Sequence, residues 1–241
     1  MIKFPSIFHK TRNWLNILKT DRQREYIVDD KRKLVYLIIS KNACSSIKGS
    51  FINKGIYENQ NIHRLMAILG YRKTELTDEQ EKYFKFTFVR NPFDRLVSTY
   101  ENKYHQTLYE YDAFFYNNYL YGFLKDDRGF DNYVKRVCMI PDMLLEKHLY
   151  PQHYYVYENN KTLVDFIGKY ENLDDEFKTI QEKYDLFPLP HINKSNRHDY
   201  RDYYTLQTAK MVYKKYKKDF KYFGYEDTYR ELIEYIKNKH N

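Results

Sequence analysis

Two short stretches hold the side chains best suited to gripping an anion. In the first, Ser40-Lys41-Asn42-Ala43-Cys44-Ser45-Ser46 follows the apolar run Leu34–Ile39. Lys41 supplies a full positive charge there, and Ser45 and Ser46 supply hydroxyl donors. In the second, Arg90 stands at the end of Phe86–Val89, Asn91-Pro92 follows, and Ser98 comes two helical turns later. A cation and a hydroxyl at each of two junctions suit a ligand carrying two separated phosphates. Neither junction is a Walker A loop, because GxxxxGK[ST] is absent. A plainer reading is open for both: an ordinary strand-to-helix turn at Lys41, and an Arg90–Asp94 ion pair with Ser98 exposed on its helix.

The elements that must position these residues are legible nearby. Leu34 to Ile39 is unbroken, apolar and rich in β-branched residues, which predicts a strand buried on both faces. The residues after Ser40 turn and continue as helix through Phe51, whose first N–H groups and dipole add to an anion site. Phe86–Val89 predicts a second buried strand, Asn91 a helix cap and Pro92 the first helical residue. In an open α/β sheet, ligands lie beyond the carboxyl ends of the strands, where both junctions fall.

Elsewhere the patterns are coarser. Met1–Asp30 mixes Phe4, Ile7, Phe8, Trp14, Leu15, Ile17 and Leu18 with Lys and Arg. It reads as a basic amphipathic segment that docks on the parent domain or lies on an anionic membrane surface. Leu65, Met66, Ile68 and Leu69 suggest a short helix, and Thr77–Gln80 the start of another. His105–Phe123 has no clear period. Phe130–Val137 fits a helix, and Tyr154–Tyr157 and Leu163–Ile167 fit strands paired across Glu158–Lys161. Leu173–Tyr184 is an amphipathic helix, His191–Arg201 a loop, Tyr203–Tyr222 a long helix and Tyr229–Lys237 a closing one. No repeat or linker marks a second domain. Residues 1–241 read as one α/β domain with an N-terminal segment 1–30, a core 31–225 and a C-terminal helix 226–241.

The motifs resemble those of the carbohydrate sulfotransferases of sulfotransferase family 2, chondroitin sulfotransferases among them. SKNACSS is similar to their 5′-phosphosulfate loop, often PKxACT or PKxGST, and FVRNPFDRLVSTY to their 3′-phosphate motif. The likeness continues through EKHLYPQ (Glu146–Gln152), DFIGKYENLDDEF (Asp165–Phe177), LPHINKSNR (Leu189–Arg197) and YKKDFKYFGY (Tyr216–Tyr225). Ser40 stands where Pro is usual and Ser45 where Thr is common, but the loop lysine and a hydroxyl remain.

The resemblance implies a P-loop-like fold with a central parallel sheet flanked by helices. It also implies transfer of a sulfuryl group from 3′-phosphoadenosine-5′-phosphosulfate (PAPS) to a carbohydrate hydroxyl on a polysaccharide, oligosaccharide or glycolipid. Lys41 would sit by the bridging oxygen, and Asn42, Ala43, Cys44, Ser45 and Ser46 would complete the 5′ loop, with Cys44 a small packing residue. Arg90 and Ser98 would hold the 3′-phosphate. Lys194, Ser195 and Arg197 would close over the nucleotide, and Tyr170 would flank the adenine. A base is also needed. Of the eight histidines, His63 lies between the two phosphate motifs and is the first choice. His148, in EKHLYPQ, comes close behind, and His153 and His198 are weaker candidates. No metal is implied.

Composition bounds the rest. The 241 residues carry a net charge of +8, which favours anionic partners. A nucleotide-binding kinase-like enzyme and a basic nucleic-acid-binding protein remain rivals. The kinase lacks its Walker A loop, and the nucleic-acid binder lacks a recognised motif. Two cysteines, Cys44 and Cys138, make neither a disulfide framework nor a metal set. No apolar run reaches the roughly 18–20 residues that span a bilayer, and no signal peptide is apparent. These absences predict a soluble, cytoplasmic, bacterial-type enzyme, in contrast to Golgi-anchored animal members.

Overall fold

The computed structural model describes residues 22–57, 61–105, 116, 118–125, 128–190 and 198–239. Strands β1 (Tyr26–Asp29) and β2 (Leu34–Leu37) form an antiparallel pair. Only Asp30–Lys33 joins them, far too short for the crossover a parallel pair needs. After β2 come helices α1 (Cys44–Ser50) and α2 (Ile62–Ile68), and β3 (Arg72–Lys73) then pairs antiparallel to β1. Strand β4 (Phe84–Val89) returns parallel to β2, α3 (Pro92–Thr99) leaves its end, and α4 (Gly129–Met139) follows. Strand β5 (Phe166–Lys169) lies parallel to β4 and leads into α5 (Leu173–Tyr184). Helices α6 (Leu206–Lys215), α7 (Lys217–Tyr222) and α8 (Glu226–Lys239) complete the chain.

The five-stranded sheet has the order β3-β1-β2-β4-β5. It is mixed rather than parallel throughout: β2, β4 and β5 are the parallel part, and β1 and β3 extend it antiparallel. Since β1 begins at Tyr26, part of the segment assigned to 1–30 belongs to the sheet. Alternation along β2 fills both layers, as its apolar run predicts. Leu34, Tyr36 and Ile38 pack with Phe86, Phe88 and the α1, α2 and α5 side, whereas Leu37 and Ile39 join α3, α4 and the C-terminal helices.

Gly168 on β5 pairs with Phe88 on β4. A Cβ there would overlap the Phe88 ring. Gly168→Ala should therefore cost about 1–3 kcal/mol by overpacking, read as a lowered thermal midpoint. An unchanged midpoint would show that Phe88 has room to shift.

Three sequence expectations are corrected. Tyr154–Tyr157 is not a strand: His153–Val156 is a helical turn, whose leading Gln152 and His153 N–H groups donate to the buried Asp219 carboxylate at 2.7 and 2.9 Å. Nor is Leu163–Ile167 the hairpin partner: Tyr157–Glu158 pairs with Lys161–Thr162 across Asn159 and Asn160, while Phe166 and Ile167 belong to β5 of the main sheet. Both asparagines have positive φ, 49° and 61°, the turn geometry that matches strand twist. The long helix expected over Tyr203–Tyr222 breaks at Tyr216, whose φ and ψ of −104° and 24° separate α6 from α7. Here Tyr216 donates its hydroxyl proton to the Leu149 carbonyl, and Asp219 caps the His153 turn, so tertiary bonds override helix propensity. The expected helix start at Thr77–Gln80 is only a short 3₁₀ turn, Gln80–Lys82.

Candidate active site

The loop between β2 and α1 has an unusual backbone. Lys41 and Ala43 both have positive φ, 72° and 58°. A left-handed residue followed by helical ones turns successive N–H groups into one concavity, an anion nest. Non-glycine residues hold this conformation only when their surroundings enforce it, and three clamps do so. Buried Asn42 donates from Nδ2 to the Phe88 carbonyl and to Gln152 Oε1, both at 2.8 Å. Buried Arg95 donates to the carbonyls of Ser40 (3.1 Å), Tyr150 (3.0 Å) and Lys147 (3.1 Å). Arg90 donates from Nη1 to the Lys41 carbonyl at 2.9 Å. Helix α1 spans only seven residues, so for an anion placed here the loop N–H groups and Lys41 would outweigh the helix dipole. The Lys41 ammonium donates to Asn102 Oδ1 at 3.1 Å, from the π-helical segment Tyr100–His105 that continues α3.

Arg90 is 6% exposed and bridges the two junctions. Its Nε donates to Asp94 Oδ2 at 2.7 Å, and its guanidinium lies 3.9 Å from the centre of the Tyr170 ring. The Arg90–Asp94 pair anticipated as the plainer reading thus exists alongside a bond to the first loop. Asp94 orients the guanidinium, and Nη2 takes no part in these bonds. Ser98 is half-buried on the same helix face as Asp94, one turn further, and no hydrogen bond joins it to Arg90. Asn91 caps α3 by accepting from the Phe93 N–H, with Pro92 at the first turn as expected.

Gln152 joins the two halves. Its Oε1 accepts from the Arg90 N–H at 3.0 Å as well as from Asn42, and its Nε2 donates to the Arg90 carbonyl at 2.8 Å. Glu171 performs a similar task one strand over, accepting from the Asn91 N–H at 2.8 Å and the Tyr225 hydroxyl at 2.7 Å.

The two leading histidines occupy different settings. His63, in the first turn of α2, has Nε2 3.2 Å from Ser45 Oγ and Nδ1 2.8 Å from the Lys48 ammonium. Burial, with the Lys48 charge next, pushes its pKa down to about 3. His148 has Nδ1 2.7 Å from Glu146 Oε2 and 3.0 Å from the Tyr116 hydroxyl. Its own N–H also donates to Glu146 Oε2, at 2.8 Å. Glu146 is completely buried, and that burial raises its pKa to about 7. Arg95 ties the Lys147 and Tyr150 carbonyls to Ser40, so the histidine–glutamate pair stands beside the lysine loop.

The structure thus brings together Lys41, Asn42, Ala43, Cys44, Ser45, Ser46, Arg90, Tyr170 and His63 beyond the carboxyl ends of β2, β4 and β5, with His148 on the adjoining segment. Tyr170 meets the Arg90 guanidinium. Lys194, Ser195 and Arg197 lie outside the described residues. His153 is buried against Asp219, its Nδ1 2.6 Å from the carboxylate, in a structural role. Sequence reasoning missed Gln152, Arg95, Asn102, Glu146 and Glu171 as parts of the site. All but Asn102 lie in stretches already quoted for the resemblance, and that membership was the available signal. Among the described residues, no group of three His, Cys, Asp or Glu side chains is placed to hold a metal ion, and no helix is long and apolar enough to cross a membrane.

Comparison with known proteins agrees with this geometry. Carbohydrate sulfotransferase 14 of Mus musculus is 28% identical over 174 residues, covering 66% of this chain and 46% of the relative. Its Danio rerio counterpart is 28% identical over 227 residues, covering 83% and 61%. Carbohydrate sulfotransferase 11 of Rattus norvegicus is 30% identical over 115 residues, covering 43% and 32%. The chain therefore spans only part of these relatives, 46% and 61% of the first two. No solved structure matches it significantly. The sulfotransferase family model matches residues 24–226, a stretch running from before β1 to the start of α8, and the chain belongs to that family.

Proposed function

We propose that this protein transfers the sulfuryl group of PAPS to a hydroxyl of a carbohydrate acceptor. One observation carries the reading: the Lys41 nest and the Arg90 junction are interlocked through the 2.9 Å Arg90–Lys41 carbonyl bond and through Gln152. Two cationic sites in fixed register match a nucleotide phosphorylated at both 5′ and 3′ positions. Catalysis of such a transfer is mostly positioning and charge stabilisation, as in phosphoryl transfer. The nest and Ser45 hold the 5′-phosphate while Lys41 neutralises charge on the departing phosphate oxygen. Arg90, oriented by Asp94 and stacked on Tyr170, serves the 3′-phosphate.

The acceptor proton needs a base. Chain order favours His63, but its Nδ1 faces an ammonium and its pKa is pushed down to about 3, so it is a poor proton acceptor near neutrality. We assign the base to His148. With Nδ1–H donated to Glu146, the lone pair resides on Nε2, the arrangement used by carboxylate-oriented histidine bases. The acceptor oxygen attacks sulfur, the bond from sulfur to the 5′-phosphate oxygen breaks, and His148 takes the acceptor proton.

Calorimetry with 3′,5′-ADP, 5′-AMP, ATP and a random oligonucleotide tests the donor assignment. The intact protein should prefer 3′,5′-ADP over 5′-AMP, and Arg90→Ala should erase about ten- to a hundred-fold of that preference, the worth of one charge-assisted phosphate contact. Tighter binding of ATP would favour a kinase-like enzyme, and tighter binding of the oligonucleotide a nucleic-acid binder.

A further inference from the structure

We propose that His63 is a positioning residue that aims the Ser45 hydroxyl at the 5′-phosphosulfate, with its own ring set by buried Lys48; this rests on the sulfotransferase reading above. The chain of contacts is Lys48 Nζ to His63 Nδ1 at 2.8 Å, then His63 Nε2 to Ser45 Oγ at 3.2 Å. An ammonium has donors and no acceptor, so Nδ1 of the ring accepts from Lys48. The neutral imidazole then carries its hydrogen on Nε2 and donates it to Ser45 Oγ. The serine oxygen becomes an acceptor on that side, and its own hydrogen points away from the ring. A serine near a helix start otherwise tends to turn its proton back onto a main-chain carbonyl. His63 occupies the acceptor side of the oxygen, so the proton remains available to an anion in the nest.

Each member is fixed independently. Lys48 lies on α1, is 2% exposed, and falls one helical turn after Ser45. His63 is held by the start of α2, where Asn61 Oδ1 accepts from the N–H groups of His63 and Arg64 at 3.0 and 3.2 Å. Burial and the neighbouring Lys48 charge push the His63 pKa down to about 3, which keeps the imidazole neutral, and burial lowers the Lys48 pKa as well. The arrangement also explains a lysine buried under the phosphate loop: its charge reaches the ligand through a ring and a hydroxyl instead of by contact.

The test compares 3′,5′-ADP affinity and kcat in the intact protein, His63→Ala, His63→Gln, Ser45→Ala and the Ser45→Ala/His63→Ala double variant. His63→Ala should weaken 3′,5′-ADP about tenfold while kcat falls no more than about tenfold. His63→Gln, which keeps an N–H donor near the Nε2 position, should recover most of the lost affinity, a rescue that a purely structural role would not give. The double variant should bind no more weakly than Ser45→Ala alone, because the histidine acts through the serine. Should His63→Ala unfold for want of an acceptor for Lys48, Lys48→Met/His63→Ala replaces it. The proposal is overturned if the His63→Ala effect adds fully to that of Ser45→Ala. It is equally overturned if His63→Ala binds 3′,5′-ADP normally while turnover falls by 10² or more, which would make His63 the base. Failure of the intact protein to bind 3′,5′-ADP at all would instead remove the sulfotransferase reading, and this relay with it.

Discussion

Replacing His148 by alanine should lower kcat by about 10²–10⁴ while leaving 3′,5′-ADP affinity unchanged, the usual loss when a positioned base is removed. The expectation rests on the 2.7 Å contact between His148 Nδ1 and Glu146, which orients the ring and, once Glu146 is ionised, favours the hydrogen on Nδ1. Glu146→Gln should lower kcat in the same direction, since an amide orients the ring less firmly and stabilises no imidazolium. The pair also predicts a pH dependence. Burial raises the Glu146 pKa to about 7, so the carboxylate that supports the base forms only as pH rises through that region, and activity should rise with it. For stability the sign is opposite. The folded state holds this proton more tightly than the unfolded chain does, so Glu146 contributes stability at low pH that is lost as pH rises through about 7. Glu146→Gln should therefore flatten the fall in thermal midpoint between about pH 4.5 and 7 while impairing turnover. A His148→Ala enzyme with normal kcat would dispose of the assignment.

The second large effect is expected at Lys41. Lys41→Ala should reduce kcat by about 10²–10³, as when one preorganised donor to developing charge is lost. Its effect on 3′,5′-ADP affinity should be smaller, because Arg90, Ser45 and the nest N–H groups remain. Arginine should restore little, because a planar fork on a longer side chain does not reproduce a compact ammonium held at 3.1 Å by Asn102. Single-turnover sulfate transfer alongside calorimetry separates these terms. Equal losses in affinity and in kcat/KM, with kcat unchanged, would mean that Lys41 serves binding alone.

Much of this molecule is determined locally. The apolar run at Leu34–Ile39 forces a strand buried on two faces, and Asn91-Pro92 starts a helix, because both outcomes depend on side chains within a few residues. Helix α5 at Leu173–Tyr184 matches its amphipathic pattern from end to end. The two cationic junctions are legible for the same reason, each being a strand, a short turn and a helix start contiguous in sequence. What tertiary structure alone decided was how those junctions meet. Gln152 reaches back 110 residues to Asn42 and 62 to Arg90, and no local pattern distinguishes such a glutamine from a solvated one. The break at Tyr216 and the helical turn at His153 follow from the burial of Asp219, a carboxylate whose partners lie 66 and 67 residues away. The choice between the histidines was likewise hidden, because chain order places His63 well but says nothing of the buried ammonium against its ring. Local chemistry named the candidate anion-holding groups. Long-range hydrogen bonds, strong because they are shielded from water, set the distances between them and put a buried lysine against the His63 ring.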